Sequence, residues 1–395
     1  MNSRFLVLAA VLGLVVALAS ALAAQTGQQQ SRRFAPGTCG PVDPTYIRLA
    51  EQTGGQPMFL QPSEMAAAGH LMREATVKNA DTVLYATAHL RDQSREFGVP
   101  IDSTVKRVTF SLSFDAPGTK LTLLRPSGAA VTSGESGVEF TAWTCGRIVT
   151  IGSPEKGKWR VQLSGTGRFW LRVAAETELY VLRVEFVRLG GRPGHEGYFK
   201  IPGQPLAGRP QTLQATISGA LQSAEFKLVS TDAETIQPIS VKEEGSGPED
   251  HEYLGTVILP HQPFRVAISG LDGSGLPFQR MYSTQFLGTT VEIGPSDGYE
   301  DLRAGTTNTL TFVVRNHGES GSFRFMAVDN RGSILPTVPP QAAIAAGGSA
   351  EVNVDVLVPA GTLRGTGVTV TITATSTADP ETNNGASVEL SVGGP

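Results

Sequence analysis

The sequence predicts a mainly β protein: tandem antiparallel β-sandwiches, immunoglobulin-like or jelly-roll-like, behind a small N-terminal α/β segment. Three observations predict it. From about residue 79 onward, apolar and polar residues alternate with a period of two, as half-buried strands require. Clusters of Gly, Pro, Asp and Ser punctuate those runs at short intervals. The composition, 45 Gly and 25 Pro against 17% charged residues, is that of a turn-rich β chain and is too apolar for disorder. At about 100–150 residues per domain, 395 residues accommodate roughly three domains.

The first element is an export signal. Arg4 is a positive n-region, Phe5 to Leu22 form an apolar run, and Ala21-Leu22-Ala23 is a small-x-small cleavage site followed by polar Gln25 and Gln28 to Gln30. This is the pattern of a secretory signal peptide over residues 1–23. The run is also long enough to cross a bilayer, so an uncleaved anchor is the alternative. Both readings put the remaining chain outside the cytoplasm: secreted, at the cell surface or periplasmic. The sequence has no second apolar run of that length, so no membrane span is expected after signal cleavage. Residues 24–38, mostly Gln, Ser, Arg and Gly, read as a flexible leader. In an oxidising compartment the two cysteines, Cys39 and Cys145, read as a disulfide, with two separate buried thiols as the alternative. The formal net charge of −4 offers no basic footprint for nucleic acid.

Residues 39–78 carry the helical signals. Asp43 can cap a helix with Pro44 at its first position, Tyr46, Ile47 and Ala50 share a face, and Gly54-Gly55 ends it. Residues 56–61 read as a short strand, and Ser63 as the cap of a second helix bearing Met65, Ala68 and Met72. Strands over 83–87, 108–114, 121–124, 138–142, 148–151, 159–163, 169–173 and 179–186 then form a first sandwich at 79–190, with turns at Pro117-Gly118, Pro126-Ser127-Gly128 and Gly165-Thr166-Gly167. The Gly-rich stretch 191–197 reads as a linker. A second sandwich follows at 198–292, with strands at 211–217, 225–228, 253–258 and 264–270 and a polar loop at 245–250. A third spans 293–395, with strands at 308–314, 322–328, 350–358, 368–375 and 386–392.

Motifs for catalysis are incomplete. Gly152 to Lys158 matches most of a phosphate-binding loop, but Trp159 stands where Ser or Thr should reach a metal, and a strand follows where a helix is needed; a hairpin turn fits better. His195-Glu196 begins a zinc-protease pattern, yet position 199 is Phe199 instead of His. Gly-x-Ser-x-Gly is absent. Glu243, Glu244, Glu249 and Asp250 could pair for glycoside chemistry, but they cluster in a polar stretch where solvated charge is the simpler reading. Asp272-Gly273-Ser274-Gly275 and Asp329-Asn330-Arg331-Gly332 offer oxygens suited to Ca²⁺ and equally suit tight turns. Trp159 and Trp170 alternate with polar residues, as core residues do. No catalytic or metal-ligating residue is assigned, no cofactor is implied, and the ligand-binding residues stay unassigned.

The stretch from Thr38-Cys39-Gly40-Pro41-Val42-Asp43 through Thr53-Gly54-Gly55 to Phe59-Leu60-Gln61 resembles the last helix–strand–helix of a von Willebrand factor A domain. It is similar to the version found in hemicentins and von Willebrand factor A domain-containing protein 7. Residues 108–113, Arg125-Pro126-Ser127-Gly128 and 154–161 with Gly157-Lys158-Trp159 resemble the galactose-binding-like sandwich of that family. Ala304-Gly305 through Asn316-His317-Gly318 resembles extracellular immunoglobulin-like modules. The A-domain metal loop, Asp-x-Ser-x-Ser, has its nearest counterpart in Asp92-Gln93-Ser94-Arg95-Glu96, which fails at the last position and lies on the wrong side of the helical segment. Metal-dependent adhesion therefore does not carry over. The resemblance implies a non-catalytic exported protein for adhesion, ligand binding or surface assembly, with an extracellular protein or glycan as partner. A structural spacer or subunit of a larger complex is the second reading, and a secreted carboxylate-dependent hydrolase the third.

Overall fold

The computed structural model describes residues 39, 44–69, 80–192, 194–247, 250–296 and 301–393. The expected signal and leader, the Asp43 cap and Met72 lie outside these residues. The chain divides into two compact units. One contains residues 33–200 and 208–287, the other 201–207 and 288–395. Each is described by itself.

The larger unit begins with helix α1 (Pro44–Gln52). Gly54 closes it with φ +76°, and Gly55 N donates to the Ala50 carbonyl at 2.8 Å. Any side chain at Gly54 would also strike Ser283, its Cβ falling 2.5 Å from that hydroxyl. Residues 56–61, expected as a strand, are extended but join no ladder. A 3-10 turn at Pro62–Glu64 leads into helical residues 65–69.

The first sandwich is built from β1 (Ala80–Ile101), β2 (Arg107–Phe114), β3 (Lys120–Leu124), β4 (Val138–Trp143), β5 (Gly146–Gly152) and β6 (Gly157–Glu176). The sheet order is β1-β6-β2-β5-β4, with β3 also on β6. Two expected strands, 159–163 and 169–173, are one continuous strand, β6, so Gly165-Thr166-Gly167 is a bend and not a turn. There Gly165 and Gly167 have φ of +136° and +92°, which side chains with a Cβ resist. Opposite them β1 carries a bulge at Asp92, φ +57°. The bend folds the sheet over on itself. Phe110 pairs with Val173 in the ladder, so on a flat strand it would stand roughly 45 Å from Trp159. Their ring centroids are in fact 5.8 Å apart. Val108, Phe110, Leu112 and Phe114, the alternating face of β2, are fully buried in the core this creates.

The second sandwich has one sheet of order β11-β10-β14-β15 and another of order β12-β13-β9-β7-β8. Its strands are β7 (Tyr180–Arg192), β8 (His195–Lys200), β9 (Pro210–Ser218), β10 (Leu221–Val229), β11 (Thr235–Ile239), β12 (Val241–Ser246), β13 (Asp250–Ile258), β14 (Arg265–Asp272) and β15 (Pro277–Met281). Two readings are corrected here. The strand expected at 179–186 in the first sandwich pairs with β9 of the second, and 191–197, read as a linker, is the tip of the β7–β8 hairpin. Gly and Pro mark chain reversal, and a hairpin uses the same signal as a linker. Likewise the polar loop read at 245–250 is the β12–β13 hairpin, closed by Gly247 N donating to the Asp250 carbonyl at 2.7 Å. The rings of Phe186, Phe264 and Phe286 pack together at the centre.

The smaller unit contains the third sandwich: β16 (Val291–Pro295), β17 (Thr307–Asn316), β18 (Gly321–Asp329), β19 (Gln341–Ile344), β20 (Ser349–Leu357), β21 (Gly367–Ser376) and β22 (Asn383–Ser391). The sheets run β16-β17-β20 and β19-β18-β21-β22. Leu310, Phe312 and Val314 of β17, with Val352, Val354 and Val356 of β20, face Val370, Ile372 and Ala374 across one core.

Candidate functional site

In the larger unit the chemistry-bearing side chains are committed to holding three pieces together. The first piece is the helical segment, whose extended stretch 55–61 is hydrogen-bonded by side chains instead of strands. Tyr85 Oη donates to the Gly55 carbonyl (2.9 Å), Ser113 Oγ to that of Pro57 (2.5 Å) and Trp143 Nε1 to that of Phe59 (3.0 Å). Gln56 Nε2 donates to the carbonyls of Ser111 and Trp170. Burial pushes the Tyr85 phenol up to about 12, so it stays a donor at neutral pH. Glu51 lies in the last turn of α1, where a negative charge opposes the helix dipole. It is buried and accepts from Trp170 Nε1 and Arg168 Nη2, both at 2.7 Å, which offsets that cost. Glu64 accepts from Thr144 N and Oγ1 at 2.7 and 2.5 Å. Cys39 and Cys145 are disulfide-bonded with Cα atoms 5.5 Å apart, so the segment is also tied covalently to the sandwich.

The second joint links the two sandwiches of this unit. Arg280 and Asp102 form an ion pair at 2.8 Å with both side chains fully buried. Arg280 also donates to the carbonyls of Leu179 and Gln279 and to Thr177 Oγ1. Asp272 Oδ2 accepts from Ser103 N and Oγ. The Arg95 guanidinium reaches Asp232 through two nitrogens at 3.1 Å. Gln279 Nε2 donates to the Val83 carbonyl, and Thr87 N to that of Thr231. The Arg265 guanidinium lies 3.9 Å over the Tyr85 ring, a cation–π contact made in a water-poor setting. The cavity between these sandwiches measures ≈ 190 Å³ and is lined by Leu84, Phe97, Ala267 and Met281, among others. That is below the ~300 Å³ at which pockets for small-molecule ligands begin.

The remaining sequence candidates are placed as follows. Gly152 to Lys158 connects β5 to β6, which flank β2 and do not pair with each other, so the expected hairpin turn is a loop between strands; β6 and no helix follows it. His195 and Glu196 open β8, opposite Arg192 and Gly191. Glu243 pairs with His251 at 2.8 Å and Glu244 with Lys242 at 3.1 Å; Glu249 lies outside the described residues. Asp272 and Asp329 are turn formers. Asp272 Oδ1 accepts from Ser274 N and Leu276 N. Asp329 Oδ1 accepts from Arg331 N, and its Oδ2 from Ser333 N and Ile334 N. Among the described residues, no three His, Cys, Asp or Glu side chains converge on a common point. Trp159 and Trp170 are core residues. Asp92 and Ser94 sit within the long strand β1. Sequence reasoning missed Glu51, Asp102 and Arg280, since nothing local marks a charged residue as buried.

Three exposed apolar side chains, Leu189, Tyr198 and Phe199, project from one hairpin, β7–β8, at the edge of its sheet. Among the described residues no helix is long and apolar enough to cross a membrane.

The fold is that of a chain of tandem antiparallel β-sandwich modules. The comparisons with known proteins agree with that class. Residues 82–178 match the family model for the hemicentin galactose-binding domain-like domain, and residues 296–393 that for the VWA7 Ig-like domain. Hemicentin-1 of Mus musculus is 25% identical over 249 residues, and hemicentin-1 of Homo sapiens 24%. Each match covers 61% of this chain but only 4% of the hemicentin. Each family model covers one domain, and the hemicentin-1 matches extend over more than one. Among solved structures, the mouse nectin-like molecule 4 ectodomain covers 78% of this chain and 96% of its own at 13% identity, with a TM-score of 0.18, too low to support any inference.

Proposed function

We propose that this chain is a non-catalytic exported protein that acts in adhesion, ligand binding or surface assembly through its tandem sandwiches, with an extracellular protein or glycan as partner. The observation that carries the reading is the match of the first sandwich to the hemicentin galactose-binding-like domain, with an immunoglobulin-like domain after it. "Galactose-binding" there names a fold and not a sugar affinity. The N-terminal segment is read as the tail of a von Willebrand factor A domain retained as a structural cap, and the second sandwich as a further immunoglobulin-like domain that includes residues 179–200. Secretion, cell-surface display and a periplasmic location all fit the signal-like N-terminus.

The second reading, a spacer or a subunit of a larger assembly, is favoured by the buried ionic joint, which stiffens the larger unit. The hydrolase reading has no such support, because Glu243 is paired with His251 and Glu244 with Lys242. The experiment is a binding array. The chain from Ala24 onward is probed against surface glycans and matrix proteins, with and without Ca²⁺, while product release is followed. Saturable binding to one class without product is expected. Turnover of any substrate overturns the proposal, and the absence of all binding moves the assignment to the spacer.

A further inference from the structure

β8 ends the sheet order β12-β13-β9-β7-β8, so among the described residues no strand lies beside its outer row of main-chain N–H and C=O groups. Natural proteins usually protect such an edge. This one instead displays Tyr198 and Phe199, 44% and 55% exposed, next to Leu189 at 63%. Leu189 stands opposite Tyr198 and Arg188 opposite Phe199, so Leu189 and Tyr198 share one face and Phe199 is on the other.

The strand also reads as its own complement. Two copies paired antiparallel about a two-fold axis through Tyr198 set Glu196 opposite Lys200, and Lys200 opposite Glu196. The charges therefore match twice. Tyr198 meets Tyr198 of the second copy, and Phe199 lies across from Gly197, where a ring covers bare backbone as aromatic–glycine pairs do. A two-fold interface requires this self-complementarity, and an antiparallel strand pair supplies it naturally. We propose that the β7–β8 hairpin is a self-association edge, at which β8 of one copy adds to β8 of a second in the register centred on Tyr198. The proposal goes beyond the binding function above and does not depend on it.

The present partners of these charges do not prevent it. Lys200 lies 3.3 Å from Glu185 with its own side chain 68% exposed, and exposed pairs of that kind contribute little. Glu196 accepts from Gly194 N at 3.1 Å, in the hairpin tip. Main-chain hydrogen bonds along about five paired residues, 196–200, give a weak, reversible dimer.

The test is sedimentation velocity on the full chain lacking residues 1–23, from low micromolar to near-millimolar concentration. A monomer–dimer equilibrium is expected. Glu196→Lys and Lys200→Glu should each weaken it about tenfold by setting like charges opposite one another twice. The double exchange Glu196→Lys/Lys200→Glu should restore it. On mild oxidation Tyr198→Cys should cross-link two chains through the axis, whereas Phe199→Cys, which faces Gly197, should not. These positions are exposed, and an unchanged far-ultraviolet circular dichroism spectrum and thermal midpoint verify that each variant is folded. A chain that stays monomeric throughout overturns the proposal. So does a double exchange no better than its parents, or cross-linking as efficient at 199 as at 198. Capture of a foreign extended peptide without self-association overturns it as well, and reassigns the edge.

Discussion

The Asp102–Arg280 pair tests how the larger unit is joined. Both side chains are inaccessible to water and 2.8 Å apart. The Asp102→Asn substitution strands a guanidinium whose other partners are neutral: the Leu179 and Gln279 carbonyls and the Thr177 hydroxyl. The Arg280→Met substitution strands a carboxylate whose remaining donors are Thr104 N and Oγ1 on Oδ1. Breaking a buried pair from either side costs about 3–5 kcal/mol, because one charge is left uncompensated. A folded domain has only about 5–15 kcal/mol in total, so each single variant should come close to unfolding the unit. The double variant carries neither charge. Its cost should fall short of the sum of the singles by about 2–3 kcal/mol, the scale of coupling between residues in direct contact. Urea unfolding followed by tryptophan fluorescence measures this cleanly. All three tryptophans of the chain, Trp143, Trp159 and Trp170, lie in the first sandwich, so the signal excludes the smaller unit. A cost below about 1 kcal/mol for either single variant, or simple additivity in the double, would refute the reasoning.

Two further outcomes are expected. Replacing Cys39 and Cys145 together by Ser opens a loop with a sequence separation of 106 residues and should cost up to about 4–5 kcal/mol. Limited proteolysis should then cut the helical segment first, and a variant as resistant there as the parent would show the bond to be dispensable. Burial pushes the Asp272 carboxyl up, but hydrogen bonds from Ser103 Oγ, Leu276 N, Ser103 N and Ser274 N outweigh it and hold the group below its ordinary value. Because the folded value lies below the unfolded one of about 3.9, the stabilisation is complete above that pH and disappears as pH falls through the folded value. Asp272→Asn should therefore flatten the acid limb of the stability curve below about pH 4, as read by urea midpoints across pH. An unchanged slope would remove Asp272 from the account.

Several features are legible in the sequence because they depend on local pattern alone. Alternation at Val108, Phe110, Leu112 and Phe114 gives a strand and its buried face before any partner is known. Gly54 ends a helix, and Asp272 and Asp329 form turns, through groups a few residues away. An even pair of cysteines, Cys39 and Cys145, points to the disulfide. Other features were decided by partners far along the chain. Gly165 and Gly167 carry the composition of a turn, yet pairing with β1 on one side and β2 and β3 on the other keeps β6 in one piece and makes them a bend. The same holds for 191–197, where Gly and Pro signal a reversal but only β9 decides that the returning strand belongs to the second sandwich. Asp102, Arg280 and Glu51 read locally as ordinary surface charges. They are interior residues because a counter-ion or donor from another element meets each of them, and desolvation makes that meeting obligatory. Local sequence sets backbone period and chain reversal, whereas burial of a charge is set by what packs against it, and that partner exists only once the chain has folded.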